Sequence, residues 1–331
     1  MNPNYDTMTV LRIAKYYYID GLSQQEIAYK ENIHRTQISR LLKQAREEGY
    51  VKIQISAPDS ASADSIAREL EHQLGLREVF VTPALSECEG EDQSQSLYFF
   101  AARHLETLLP SSSRVGIGVG KTMYQVASQL SCRKPDHSME FYSLAGYSGS
   151  ENPYLQGSVI ADFFARAFCG SCHYNNFPIL TSRDTMSSLD RTRFVAFRHS
   201  CGRLDTVILS IGGPFSDDYP YFEEFSLAIR DFDLARAFSR PHGNLLGHVF
   251  YEDGSLLQLP EPFMLTSMGP SHLQAVPRVI CIAGGSRKIP AIISAARQGY
   301  IGSLITDKQT AEGMLEKLQS PHDLHSASSV I

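Results

Sequence analysis

His34, Arg35, Thr36, Gln37, Ser39, Arg40 and Lys43 stand close together in a stretch, HRTQISRLLKQAR, that holds no acidic residue. Side chains of these types hydrogen-bond base edges and pair with phosphates, so the chemistry they suggest is nucleic-acid recognition. A second set suits small anions: the glycine loop with Lys121 and Thr122 in GIGVGKT, and the glycine turn with Arg287 and Lys288 in AGGSRK. Glycine turns expose backbone N–H groups, and a neighbouring lysine and hydroxyl add charge and a donor. No catalytic set accompanies them. His242 and His248 flank GNLLG with no partner carboxylate at a recognisable spacing, and each reads as structural. Asp217, Asp218, Glu223 and Glu224 fall in a polar, aromatic-rich loop and read as a solvated face or a hinge. Cys169 and Cys172 form a lone C-x-x-C among six scattered cysteines. No second pair or His-x-x-x-His completes a zinc site, so these read as core thiols, and neither a metal nor a cofactor is expected.

The basic residues need a scaffold, and LSQQEIAYKENIHRTQISRLLKQAREEGYVKIQI, Leu22 to Ile55, supplies one. Leu22, Ile27 and Ala28, then Ile33, Ile38, Leu41 and Leu42, fall at spacings that give each of two short helices one apolar stripe. Ser23 precedes Glu26 by three residues, a capping box, and Asn32 occupies the turn between the helices, where a left-handed residue is often required. Tyr50 to Ile55 alternates apolar and polar residues and reads as a strand. The whole is a winged helix-turn-helix, with His34 to Gln37 toward base edges and Arg40 and Lys43 farther along the groove. Ser23 and Gln24, opening the first helix, complete the residues expected at DNA. Thr9 to Asp20 reads as a supporting helix with Val10, Ile13, Ala14 and Tyr17 inward, ended by Gly21. The bland alternative is a helical hairpin used only for packing or dimerisation. The coincidence of basic face, turn and wing on one element favours the reading head.

With 331 residues, 43% of them hydrophobic, the chain can hold two or three domains with a sizeable core. No apolar run reaches the ~18 residues needed to span a membrane, and the N-terminus lacks a secretory signature, so a cytoplasmic protein is expected. Evenly spread, the net charge of −6 would oppose a nucleic-acid partner, but residues 1–56 carry +2 and the remainder −8. A basic head on an acidic body confines DNA contact to the head.

Residues 57–62 read as a linker, residues 63–318 as the body, and residues 319–331 as a polar, disordered tail. Helices are expected at Ala63–Leu74, Gln95–Leu109, Val159–Phe168, Arg191–Ser200, Lys288–Arg297 and Asp307–Leu318. Between them lie apolar strands at Arg77–Ala84, Glu140–Leu144, Cys172–Phe177, Thr206–Ile211, Val279–Ala283 and Ser303–Thr306. RVGIGVGKTMYQVASQL reads as strand, glycine loop and helix. Alternating strands and helices indicate an α/β domain with a mostly parallel sheet covered on both faces. The glycine loop fits neither the nucleotide P-loop, which needs glycine where Val115 stands, nor the dinucleotide fingerprint, which needs it at Lys121. Taken alone it is compatible with anion binding or with a purely steric turn. Two further glycine turns, Ile211-Gly212-Gly213-Pro214 and Ala283-Gly284-Gly285-Ser286-Arg287-Lys288, also follow apolar strands. Ligands of open parallel sheets collect at that edge, so the three together favour a small anionic ligand.

The reading-head segment, GIGVGKTMYQVASQL, NFPIL, DTVILSIGGP, GNLLGHVFYEDG and VICIAGGSRKIPAIISAARQGYIGSLITDKQTAEGML stand in the order found in the SorC family of bacterial sugar-responsive transcriptional regulators. The chain resembles that family over nearly its whole length. The resemblance implies a body similar to sugar-phosphate isomerases, used as an effector sensor, and assembly into dimers or tetramers on operator DNA. It places the effector's phosphate at Val119 to Thr122 and Lys288, and Gln156 in a loop lining the ligand. Where the family's G-[DE]-x-x-G motif has an acid, this chain has Asn244. An amide both donates and accepts hydrogen bonds, whereas a carboxylate only accepts, so a different hydroxyl pattern is implied for the effector. The expected function is a DNA-binding regulator controlled by a phosphorylated sugar, and the runner-up is a sugar-phosphate isomerase-like enzyme with an added N-terminal module.

Overall fold

The computed structural model describes residues 5–51, 60–83, 91–111, 113–131, 138–213, 221, 225–226, 228–229 and 242–319. The chain divides into two compact units, Met1–Ser56 and Ala57–Ile331. Most of the expected wing, residues 57–59 of the linker, the acidic cluster at 217–224, Cys88, Cys132 and residues 320–331 lie outside the described residues.

The first unit is built from α1 (Thr7–Tyr18), α2 (Gln24–Glu31) and α3 (Arg35–Glu47). Val10, Ile13 and Ala14 of α1 close over Ile27 of α2 and Ile38, Leu41, Leu42 and Ala45 of α3, all buried. Burying each large aliphatic side chain of this set contributes roughly 1.5–3 kcal/mol, and the small unit rests on that cluster. The Arg12 guanidinium donates to both carboxylate oxygens of Glu31, at 3.0 and 2.7 Å, and so ties α1 to α2. The tyrosine run divides its roles. Tyr16 is partly buried under the Lys30 ammonium, 4.0 Å from the ring centroid. Tyr17, expected inward, is exposed and meets Tyr18 edge to face, because the buried arc of α1 is already filled by Val10, Ile13 and Ala14.

The second unit opens with α4 (Ser60–Leu74), which starts three residues earlier than the sequence pattern suggests and so takes in the end of the expected linker. A seven-stranded sheet follows, in the order β1 (Glu78–Thr82), β11 (Ser303–Asp307), β10 (Arg278–Ile282), β6 (Thr206–Leu209), β2 (Arg114–Ile117), β3 (Glu140–Ser143), β4 (Ser171–His173). Every recorded pairing within it is parallel. The central strands explain their apolar runs, because successive residues go to opposite faces and both faces are covered. Val207, Leu209, Val279 and Cys281 join one core with Leu70 of α4, Ile292 of α10 (Ile289–Arg297) and Met314 of α11 (Lys308–Gln319). Ile208, Ile280 and Ile282 join the other with Leu105 of α5 (Glu91–Leu108), Val126 of α6 (Lys121–Gln129) and Phe164 of α7 (Gly157–Phe168).

Strand β4 is shorter than expected. At Asn175 the chain turns away, the buried side chain donating to the Thr266 carbonyl at 3.0 Å and accepting from the Phe177 N–H at 3.3 Å. Two antiparallel ribbons were not anticipated: β5 (Leu180–Ser182) with β9 (Phe263–Leu265), and β7 (Gly243–Leu245) with β8 (His248–Phe250). Helix α8 (Ser188–Cys201) starts at a Ser187 cap, three residues before the expected start, and α9 (Pro270–Leu273) is a single turn.

Candidate functional site

In the first unit, Ser23 and Glu26 complete the capping box at the start of α2. The Glu26 N–H lies 3.3 Å from Ser23 Oγ, and the Ser23 N–H 2.7 Å from Glu26 Oε2. Asn32 takes the left-handed conformation, φ 54° and ψ 42°, and redirects the chain into α3. With Ile38, Leu41, Leu42 and Ala45 committed to the core, the outer face of α3 is fixed. His34, Arg35, Thr36, Ser39, Arg40 and Lys43 are exposed and Gln37 is half-buried, as is Gln24, while Ser23 is exposed. Among the described residues no acid pairs with Arg35 or Arg40. Lys43 reaches Glu47 at 3.5 Å, an exposed pair of the kind that contributes little and leaves the ammonium available. The face is a contiguous cationic surface at the N-terminal half of a helix.

In the second unit, the three glycine turns follow β2, β6 and β10, three adjacent central strands whose ends are level: Ile117 is opposite Ile208, and Leu209 opposite Cys281. After β2, the Gly118 N–H donates to the Ile208 carbonyl at 2.8 Å, and Val119 packs against the apolar cores. Gly120, at φ 123°, turns the chain into α6 in a conformation that a side chain would strain. No side chain caps that helix, so its first N–H groups are left for a ligand. Lys121 is exposed at the first position and Thr122 is buried behind it.

Lys288 comes from the loop after β10, at the N-cap position of α10, and its Nζ donates to Thr122 Oγ1 at 3.5 Å. Burial pulls its pKa down, a nearby Cys281 acts in the opposite sense, and Lys121 adds to the lowering. Burial also pushes the Cys281 thiol up to about 12, so it offers no countercharge at neutral pH. Two ammonium groups thus converge at two helix N-termini, where the helix dipoles disfavour cations, and among the described residues neither has a carboxylate partner. An anion relieves that arrangement.

The remaining expected residues are near this edge in different senses. Gly213 lies against the Arg287 and Lys288 backbone and stem. Asn244 and Gly212 exchange backbone hydrogen bonds at 3.0 and 3.1 Å, and the Asn244 amide sits where a Gly212 Cβ would be. Gln156 is used internally: its Nε2 donates to the carbonyls of Ser148 and Ser150, at 2.9 and 2.7 Å. It therefore orders the 148–156 loop, and its side-chain oxygen is the atom left to meet a ligand. That loop reaches the glycine turn through the Tyr154 carbonyl, which accepts from Gly120 N–H at 3.0 Å. The neighbouring Asp307 carboxylate is occupied with Thr310, which in turn holds the Gly285 N–H at 2.7 Å. No helix among the described residues is long and apolar enough to cross a membrane.

Sequence reasoning missed the hairpin that carries Asn244. Its two-residue turn, Leu246-Gly247, has positive φ at both residues, 53° and 85°, which is the pattern of a primed turn. Asn-Gly would have signalled it; Leu-Gly does not, and buried Leu246 is held there by packing.

Comparison with known proteins agrees with these features. Residues 60–316 match the Sugar-bind family, described as a sugar-binding domain. The Escherichia coli (strain K12) transcriptional regulator LsrR is 27% identical over 311 residues, 92% of this chain and 94% of LsrR. The deoxyribonucleoside regulator of Bacillus subtilis (strain 168) is 26% identical over 315 residues, 93% of this chain and 97% of its own. The full-length sorbitol operon regulator SorC of Klebsiella pneumoniae superposes with a TM-score of 0.72 at 23% identity, covering 94% of this chain and all of that one. With a sugar-binding domain spanning well over half its length behind a helix-turn-helix, the chain belongs to the SorC family of sugar-responsive transcriptional regulators.

Proposed function

We propose that this regulator reads double-stranded operator DNA with α3 and that a small phosphorylated sugar, held at the carboxyl edge of the sheet, sets its operator affinity. The observation that carries the effector reading is the desolvated Lys288 ammonium beside Thr122, with the like charge of Lys121 acting on it and no carboxylate partner for either lysine among the described residues. A sugar phosphate brings the missing charge to the ammonium groups and the free N–H groups of α6, and its hydroxyls meet Asn244. In this reading Val119 and Gly120 shape the phosphate turn, and Gln156 orders the loop beside it.

The groups near that edge favour sensing over turnover. An isomerase needs a general base in the pocket. Asn244 supplies none, the Cys281 thiol stays protonated, and Asp307 is spent on Thr310. Tight operator binding calls for more than one reading head, so the working form is a homodimer or tetramer, acting in the cytoplasm on a carbohydrate-utilisation operon.

The test is a panel of pentose and hexose phosphates beside the free sugars, followed by thermal shift, by turnover and by operator mobility. The expected result is stabilisation by a phosphorylated sugar, altered operator affinity and no turnover; a ligand at ~100 times its dissociation constant adds about 2.7 kcal/mol. Turnover without any change in DNA binding overturns the reading.

A further inference from the structure

A cleft of about 490 Å³ opens between α8, the β5–β9 ribbon, β8 and α9, none of which carries the phosphate-facing residues described above. Its walls include Met186, Phe194, Phe197, Met264, Leu265 and Met268. Its polar atoms are few. His248 Nε2 stands 3.1 Å from Ser267 Oγ, and burial pulls that histidine's pKa down to about 4, so it is neutral at physiological pH. His272 Nε2 lies 2.9 Å from the Arg198 guanidinium. Desolvation first, and then Arg198, lower the His272 pKa, so this ring too is neutral and presents its Nε2 lone pair to the arginine.

Three arginines line the cleft, and two are engaged. Arg183 pairs with Glu261 at 2.7 Å. Arg191 donates to the carbonyls of Met186 and Arg183, at 3.3 and 2.7 Å. The Arg198 guanidinium meets the His272 nitrogen, and among the described residues no carboxylate is within ion-pair distance of it. A guanidinium has five donors in a fork that fits a carboxylate bidentately. The cleft is of the size that holds small ligands, which fix their orientation through a few polar groups in an otherwise apolar wall.

From this we infer that the cleft is a second ligand site, specific for a small amphipathic monocarboxylate of arylalkyl or acyl type. The apolar body lies among the phenyl and thioether walls, and the carboxylate sits on Arg198. A sugar phosphate is the wrong occupant: its hydroxyls would be buried against Met and Phe without partners, and one guanidinium beside a neutral imidazole undercompensates a dianion. The cleft has a physical connection to the proposed effector edge. His248 pairs with Leu245 across the β7–β8 hairpin, next to Asn244.

The experiment uses the full chain labelled with 13C at the methionine methyls, titrated with phenylacetate, with hexanoate, and with phenylacetamide as the neutral control. Phenylacetate or hexanoate is expected to shift the Met264 and Met268 methyl signals saturably, and phenylacetamide to bind at least about tenfold more weakly, the worth of one charge-assisted hydrogen bond. Arg198→Gln, at an exposed position, should lose affinity by a similar factor with its circular dichroism unchanged, and Arg198→Lys should recover part of it. Absence of saturable shifts with both carboxylates, equal binding of phenylacetamide, or unchanged affinity in Arg198→Gln each overturns the site. Response to sugar phosphates is measured separately on the same samples, so a failure there concerns the effector edge alone.

Discussion

Lys288 Nζ stands 3.5 Å from Thr122 Oγ1, although 166 positions separate the two residues in sequence. The contact joins the turn after β2 to the turn after β10 across the intervening turn of β6. It places a desolvated ammonium beside the uncapped start of α6, where a phosphate gains both backbone N–H groups and a cation. The free protein bears an electrostatic cost there that a bound anion removes.

Lys288→Met should therefore have two opposite effects. Sugar-phosphate affinity should fall about tenfold or more, since a charge-assisted hydrogen bond is worth about 1.5–3 kcal/mol. The ligand-free protein should melt higher, because an uncompensated, desolvated cation is gone. The pH dependence has a definite sign. Burial holds the folded-state pKa of Lys288 below its ordinary 10.5, so between the two values the unfolded chain binds more protons and stability rises with pH. That rise should be missing from Lys288→Met in melting curves across the alkaline range. Unchanged affinity in calorimetric titration would remove Lys288 from the phosphate site.

The parallel sheet and the helix-turn-helix were legible because their residues carry periodic signals: continuous apolar runs such as VILS and VICI, and the stripe Ile38, Leu41, Leu42. The three glycine turns were legible as one edge because alternating strands and helices imply a parallel sheet, in which every strand's carboxyl end lies on the same side. The rest depended on contacts with no local signal. Gln156 points its donors into its own loop, Tyr17 is displaced from the core by neighbours that fill it first, and the β7–β8 hairpin uses a Leu-Gly turn that only packing permits. Arg198 and its cleft combine residues from α8, β8, β9 and α9, which no sequence spacing connects.

On the reading head, Arg35→Ala or Gln37→Ala should weaken operator binding by about 1–3 kcal/mol and relax base preference at one position. Lys43→Ala should weaken operator and random DNA alike and flatten the salt slope by about one unit, its exposed partner Glu47 being no substitute for a phosphate. Competition mobility assays at two salt concentrations separate these outcomes.

Asn32 tests the turn independently of DNA. At φ 54° a Cβ-bearing residue without a short polar side chain is strained by roughly 1–2 kcal/mol. Asn32→Ala should destabilise the head by about that amount, and Asn32→Gly should be near neutral. Proteolysis of the N-terminal unit at increasing temperature reads the difference, and equal resistance in both variants would contradict the left-handed turn.

Gly212 and Asn244 give the most stringent test of the effector edge, because their interaction is steric as well as polar. Their backbones exchange two hydrogen bonds, and a Cβ on Gly212 would run into the Asn244 amide, 2.7 Å from its Cγ. Gly212→Ala must then push Asn244 aside, at a cost of about 1–3 kcal/mol typical of overpacking. Shortening the obstructing side chain should restore most of that stability, so Gly212→Ala with Asn244→Ala should melt closer to the parent than Gly212→Ala does. Sugar-phosphate affinity should follow a different course: both single variants and the double variant should bind weakly, since each removes or displaces the amide proposed to meet the sugar's hydroxyls. The two readouts form a double-mutant cycle with strong coupling in stability and little recovery in binding. Additive stabilities would show that the two side chains do not compete for space, and parent-like affinity in the double variant would show that Asn244 does not touch the effector.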